Sequence, residues 1–372
     1  MDLNALTRGQ RLTIGAAVLL SVAAGAVRII DAKSVTTFVV AAAALAALAA
    51  LVGQSIEQVG ERMGPGATGL LQSALGNLPE LFVGIFALQA GLVDVVRAAL
   101  VGSVLANTLL ILGLAILTGG LRHGVQRFAS DSPRMIGTLL LLAVAALLVP
   151  TLATRLHTPA AAHASQLSNA VAIILIAVYV LSIPFWLRGG ALTGPCKPDQ
   201  KPNQKQDQKQ DEKQDDEDNT WPLPLALGLL AFASLGAALV SDWFVGALEP
   251  ATKTLGLSPT FTGLVIVAIA SNAVENVGGI TFAWKARPDY ALSTILNSPL
   301  QVALFLTPLL VLASQAVGPT RLTLVFPALE VAAMALATLV VLVVISDGEY
   351  VWLEGVALIG LYGIVTAAFW WG

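Results

Sequence analysis

Long apolar runs separated by short clusters of charge dominate this chain. Crossing the hydrocarbon of a bilayer takes about twenty residues of helix. Eleven runs reach that length, at roughly 11–30, 35–56, 67–90, 95–118, 134–152, 167–188, 222–246, 259–284, 290–315, 321–346 and 350–371. Breaks fall at Asp31/Lys33, Arg122–Arg134, Arg155–His163, Arg287–Asp289 and Asp347–Glu349. The runs are predicted to be helices, because an open strand in lipid would leave backbone groups without partners. The expected fold is an all-α polytopic membrane protein with about eleven transmembrane helices.

Length alone would suggest two or three soluble domains for 372 residues. Composition overrides that reading, with 56% of residues hydrophobic, 12% charged and a mean hydropathy of +0.80. Soluble proteins carry about twice that charged share. The net charge is -3, with much of the acidity in one tract, so no nucleic-acid footprint is present. Cys196 is the single cysteine, which excludes an intrachain disulfide framework and a cysteine-only metal site. Arg8 and Arg11 precede the first run as in a signal peptide. No convincing small-residue cleavage site follows them, so a retained first span is expected. The sequence has no Walker A loop, HExxH, GxSxG or Asp-Lys-Thr-Gly, so an enzyme is not expected, nor an organic cofactor.

Residues 197–219 differ in kind. KPDQ, KPNQ, KQDQ, KQDE and KQDD follow at a period of four, with five lysines, eight acids and nothing apolar to anchor a core. A solvated linker is expected, its acidic end Asp215–Asp218 being the part suited to sensing a cation. The division that follows is 1–34 for the N-terminus and leading helix, 35–190 for a first repeat, 191–220 for the linker and 221–372 for a second repeat. Lysine and arginine orient the chain. Arg8, Arg11, Arg62, Arg122, Arg127, Arg134, Arg188, Lys285, Arg287 and five linker lysines make 14 on one side, against 6 on the other (Arg28, Lys33, Arg97, Arg155, Lys253, Arg321). The N-terminus and linker are therefore expected in the cytoplasm and the C-terminus outside, in a plasma membrane of bacterial type.

The chain also repeats. Gly76-Asn77-Leu78-Pro79-Glu80 matches Ser271-Asn272-Ala273-Val274-Glu275 at a constant offset of 195 residues, with Asp94 meeting Asp289 and Gly102-Ser103 meeting Asn297-Ser298. Glu57 pairs with Glu249 at an offset of 192. Five spans separate equivalent runs, and an odd number places the copies in opposite orientations. Inverted pairs of this kind hold their ion site near the midplane, where broken helices face each other.

Glu80 and Glu275 lie deep in the third and eighth runs, where a charge costs about 2.5–3.5 kcal/mol on insertion scales. No lysine or arginine lies near the middle of any run to pair with them, so a cation or a proton is the expected partner. Asn77 and Asn272 precede them by three residues, which puts amide and carboxylate on one helix face. This oxygen-rich set suits Ca2+, Na+, K+ or Mn2+ rather than soft metals. Pro79 removes a helix hydrogen bond and crowds the Leu75 carbonyl, freeing carbonyls near Gly76 to turn toward an ion. Pro299 is expected to act likewise beside Ser298. Ser103, Asn107, Ser298 and Gln301 form a second polar layer, both serines standing 23 residues after their glutamate. Glu57 and Glu249, near span ends, are candidates for gating and ion admission. His123, His157 and His163 all fall in loops, so no core histidine offers a proton relay.

These motifs resemble the cation/calcium exchanger superfamily, specifically its calcium/proton exchanger branch, over most of the chain from Glu57 to Leu310. The resemblance rests on GLLQSALGNLPELFVGIFALQAGLVDVVRAALVGSVLANTLLILG in the first copy. In the second it rests on LEPATKTLGLSPTFTGLVIVAIASNAVENVGGITFAWK and SPLQVALFLTPLLVL. It implies one leading helix followed by two inverted five-helix repeats joined by an acidic cytosolic segment. It implies Ca2+/H+ exchange by alternating access, with Na+(K+)/H+ or Na+/Ca2+ antiport as alternatives of the same fold. The cation site it implies comprises Glu80, Glu275, Asn77, Asn272, Ser103 and Ser298, with backbone oxygens at Gly76 and Ser271. The branch carries His after the second glutamate, where this chain has Asn276, and the first motif's Leu-Pro-Glu is that of sodium/calcium relatives. A homo-oligomer is compatible with the fold.

Overall fold

The computed structural model describes residues 6–60, 62, 75–129, 131–187 and 221–370, without the side chains of 131–132, 184–187 and 273–276. The linker expected at 191–220 lies outside the described residues, apart from the start it leaves at Trp221. Helix occupies part or all of each expected run. In chain order the helices are α1 Arg8–Ile30, α2 Val35–Gly60, α3 Leu78–Gln89, α4 Val93–His123, α5 Asp131–Arg155 and α6 Ala164–Leu187. They continue with α7 Leu223–Leu255, α8 Pro259–Ser271, α9 Ala273–Trp284, α10 Pro288–Ala313, α11 Ala328–Val344 and α12 Trp352–Trp370. Among the described residues eight are long and apolar enough to cross a membrane, and α3, α8 and α11 are shorter apolar helices. The chain is an all-α integral membrane protein.

Large apolar side chains such as Leu12, Ile29, Leu181, Leu235, Val343 and Ile364 point outward, a surface that lipid solvates and water does not. Burial separates centre from periphery: 83% of the apolar stretch of α4 and 78% of that of α10 is buried, against 11% for α1. Helix α1 lies on α2, and α2 packs along α7. Around α4 and α10 stand α5, α8, α9, α11 and α12.

Two contacts bring α4 against α8 backbone to backbone. A methyl on Gly102 would run into the Leu264 carbonyl, and one on Gly263 would lie 2.6 Å from the Val95 carbonyl oxygen. Only hydrogen at these positions lets the helices approach so closely, as at small-residue crossings in membranes generally. Three helices carry π-helical turns, at Ala106–Ile111 in α4, Thr262–Val267 in α8 and Val302–Leu306 in α10. The first and third stand in corresponding places of the two copies.

The run expected at 321–346 is corrected at its start. Helix α11 begins only at Ala328, behind Pro327, and a proline drives the residue before it out of the helical region. Residues 321–327 are irregular, yet side chains satisfy their backbone. Ser314 Oγ accepts from Leu322 N at 2.9 Å, Ser168 Oγ from Leu324 N at 3.0 Å and Thr151 Oγ1 from Phe326 N at 2.9 Å, while Thr151 donates to the Leu324 carbonyl at 3.0 Å. Non-helical backbone is tolerated inside a membrane protein on that condition. At the other end of the bundle, β1 Gln126–Arg127 and β2 Glu349–Tyr350 form a two-stranded antiparallel sheet. Asp289 accepts from Ala129 N at 2.7 Å, which ties the start of α10 to it.

The Gly102 contact yields a stability prediction. Overpacking of this kind costs about 1–3 kcal/mol, so Gly102→Ala is expected to lower the thermal unfolding temperature of the detergent-purified protein. Gly228→Ala, with no atom within 4 Å of the added methyl, is expected to show no loss. Equal unfolding temperatures for Gly102→Ala and wild type would refute the close crossing.

Candidate functional site

Two helix breaks make the site. Helix α3 starts after a turn at Gly76–Asn77, and α8 gives way to α9 at Asn272. The two asparagines have nearly the same backbone, φ -90 and ψ 15 at Asn77, φ -100 and ψ 13 at Asn272. Pro79 therefore does not cause the break, since the second copy breaks in the same way with Val274 in its place. Proline fits because it falls in the first turn of α3, where its missing N–H is no loss. Each break exposes a helix N-terminus, whose free N–H groups favour negative charge. Glu80 occupies the first turn of α3. Pro299, by contrast, lies inside α10, which continues through it as helix.

Side chains of both copies meet here. Glu80 is half-buried, and its Oε1 accepts from Ser271 Oγ at 3.3 Å and from Asn272 Nδ2. Its Oε2 is buried and has no partner among the described residues. Asn272 Nδ2 also lies 3.1 Å from Ser103 Oγ and 2.9 Å from the Ala268 carbonyl. On its other side Asn272 Oδ1 accepts from Asn107 Nδ2 at 3.3 Å and from Ser298 Oγ at 3.4 Å. Asn107 further contacts Ser298 Oγ at 3.3 Å and the Ser103 carbonyl at 3.0 Å.

Asn77 bonds in the same fashion to the opposite copy, its Nδ2 donating to Gln301 Oε1 at 3.0 Å. Each break thus places its asparagine against an amide at a π-turn of the other copy's long helix: Asn77 against Gln301 of α10, Asn272 against Asn107 of α4. The amides and hydroxyls in this cluster are all less than a tenth exposed.

A narrow apolar cleft opens beside Glu80. It runs between Val83 and Ala87 of α3, Val95 and Val96 of α4 and Leu306 and Leu310 of α10, toward the α3–α4 turn. The Glu80 carboxylate, the hydroxyls of Ser271, Ser103 and Ser298 and the amides of Asn272 and Asn107, joined in one hydrogen-bonded cluster, make a hard-donor set for a cation without soft ligands.

Of the expected site residues, Glu80, Asn272, Ser271, Ser103, Ser298 and Asn107 join one hydrogen-bonded cluster, Asn77 and Gln301 bond to each other, and Gly76 forms the turn before α3. Glu275 and Asn276 lie in the first turn of α9, and their side chains are outside the described residues. Glu57 and Glu249 are exposed, and Glu249 is bound by Lys253 Nζ at 2.7 Å. Sequence reasoning missed the π-turns, which have no residue signature. It also missed Glu330, a buried acid in α11 without a counterpart in the other copy.

Comparison with known proteins agrees with this architecture. Residues 33–187 and 225–371 match the family described as sodium/calcium exchanger protein. The chain is 37% identical over 340 residues to a Ca(2+)/H(+) antiporter of Synechocystis sp., covering 90% of each protein. Its structure is similar to that of native YfkE, with a TM-score of 0.78 and 29% identity over 97% of this chain and 99% of that one. The fold is also that of the H+/Ca2+ exchanger CAX, with a TM-score of 0.71 at 16% identity over 97% of this chain and 92% of that one. The chain therefore belongs to the sodium/calcium exchanger protein family, within its calcium/proton exchanger branch, and is a transporter rather than an enzyme.

Proposed function

We propose that this protein is a Ca2+/H+ antiporter working by alternating access at a site shared by Glu80 and Glu275. The observation that carries the reading is the Glu80 carboxylate, with one oxygen held by Ser271 and Asn272 of the second copy and the other buried beside the cleft without a partner among the described residues. Relatives named Ca(2+)/H(+) antiporters over nine-tenths of the chain support Ca2+ and H+ as the exchanged ions.

Two ionised glutamates bind one Ca2+, and two protons displace it. Bare carboxylates are expensive to desolvate, so only the cation-loaded or the protonated site crosses the membrane cheaply. That restriction couples the two flows and prevents a leak. Asn272 now turns its amide nitrogen toward Glu80. Turned over, the same group presents its oxygen to a cation. Ser103 and Ser298 supply hydroxyl oxygens, and Asn77 and the carbonyls at Gly76 and Ser271 complete the ligand set. Residues 35–190 and 221–372 act as inverted repeats, and 191–220 as a cytoplasmic tether, with the C-terminus outside a bacterial-type plasma membrane. Glu57 and Glu249, exposed at helix ends, serve ion admission. A second reading, Na+(K+)/H+ or Na+/Ca2+ exchange, is favoured only by the Leu78-Pro79-Glu80 sequence.

Glu80→Gln and Glu275→Gln are each expected to abolish Ca2+-driven proton flux in proteoliposomes while the protein still inserts and folds. Near wild-type flux in either variant would refute the shared site, and flux driven equally by Na+ or K+ would favour the second reading. Deleting 200–218 is expected to leave transport intact, and loss of membrane insertion would show that the segment is more than a tether.

Asn276→His is expected to shift the pH dependence of flux more than its cation selectivity. Histidine changes charge between about pH 5 and 8, and its cationic form favours an ionised neighbour. Identical pH profiles would make position 276 a bystander.

A further inference from the structure

Among the described residues one more carboxylate is buried, outside the hydrogen-bonded cluster of the site. Glu330 lies in the first turn of α11, is 1% exposed, and its Oε2 has no partner among the described residues. In such a place the protonated acid is tolerated far better than the bare carboxylate.

The charged groups facing it are Arg97 and Asp94 of α4. Helix α5, packed along α11, contributes none nearby, since Asp131 and Arg134 stand at its far end and Arg155 is exposed. The π-turn Ala106–Ile111 has no ionisable residue, and Arg321 on the lead-in to α11 is exposed.

Arg97 is occupied elsewhere. Its Nη1 donates to Asp94 Oδ1 at 2.9 Å, its Nε to the Thr323 carbonyl at 3.2 Å and its Nη2 to Thr323 Oγ1 at 3.0 Å. The guanidinium thus grips the irregular segment 321–327 next to a carboxylic acid that makes no ion pair with it.

We propose that Glu330 is a proton-binding residue outside the cation site, which keeps its proton while Arg97 grips Thr323 and takes Arg97 over when it ionises. The O–H bond of the acid breaks, the proton passes to water, and the carboxylate becomes a second charged acceptor for the guanidinium beside Asp94, where the Thr323 acceptors are neutral. Charge-assisted bonds to a carboxylate are about twice as strong as those to neutral acceptors, so the Thr323 bonds yield and segment 321–327 loosens. The segment is therefore held at low pH and released at high pH. The inference rests on this geometry and holds whichever ions are exchanged.

The test is thiol labelling of the purified full-length chain, with no ion gradient, so that its failure leaves the antiport reading untouched. A reporter Leu322→Cys, at a residue 3% exposed, is placed in a Cys196→Ser background. Its maleimide labelling is normalised to that of an exposed reporter, Ala160→Cys. Between about pH 6 and pH 9 the normalised rate is expected to rise roughly tenfold, the signature of a local opening. With Glu330→Gln added it is expected to stay low at both pH values. An equal rise with and without Glu330, or no rise in either, would overturn the proposal. Should Glu330→Gln fail to fold, Arg97→Gln decides. With the grip removed, labelling is expected to be fast at both pH values, and slow labelling at either would overturn the proposal.

Discussion

Glu80 has to be solvated by protein. It stands among apolar helices, where water is scarce, and its carboxylate finds donors only because the second copy brings Ser271 and Asn272 within reach. A carboxylate in this position without donors or a cation would favour expulsion or permanent protonation. The helix breaks, the buried amides and the glycine contacts around it can all be understood as meeting that requirement. They hold one oxygen and leave the other available.

Achieving this depends on close backbone approach. Ser103 and Asn272 meet at 3.1 Å because α4 and α8 touch at Gly102, directly before Ser103, and at Gly263, nine residues before Asn272. The breaks at Asn77 and Asn272 do complementary work. They end the regular backbone pairing at the site and aim helix N-termini into it, so that partial positive charge meets the carboxylate without a lysine or arginine being present. A full positive charge in the same place would occupy the site permanently.

Much of this was legible in the chain. The offset of 195 residues linking Asn77 to Asn272 and Ser103 to Ser298 was enough to assemble the polar cluster, because symmetric polar residues in apolar helices have few places to go. The break at Asn77 was also expected, but for the wrong reason, because Pro79 is conspicuous and the true determinant, an asparagine in a non-helical conformation, recurs without proline at Asn272. The π-turns left no trace, since each is a change of hydrogen-bond partner that any apolar residue accepts. The late start of α11 was hidden because Leu322, Leu324 and Phe326 are apolar and read as helix. Their burial in an extended segment depends on hydroxyls of Thr151, Ser168 and Ser314, more than a hundred positions away for the first two. Glu330 was passed over because it has no counterpart in the other copy, and only the packing of α5 and α4 against α11 accounts for its burial.

The cluster is symmetric in its residues and asymmetric in its bonds. Asn77 donates to Gln301, whereas Asn272 accepts from Asn107 and donates to Glu80. Primary amides carry donor and acceptor on one planar group, so turning either asparagine over exchanges these roles without changing shape or volume. Turning Asn272 over would set its oxygen against the Glu80 carboxylate and the Ala268 carbonyl, so that arrangement requires a cation or a proton between the oxygens. A cluster of lysines and carboxylates could not do this, because each group would accept only one kind of partner. Amides beside an ionisable carboxylate therefore suit the proposed exchange, since they can offer oxygen to a cation or N–H to a bare carboxylate.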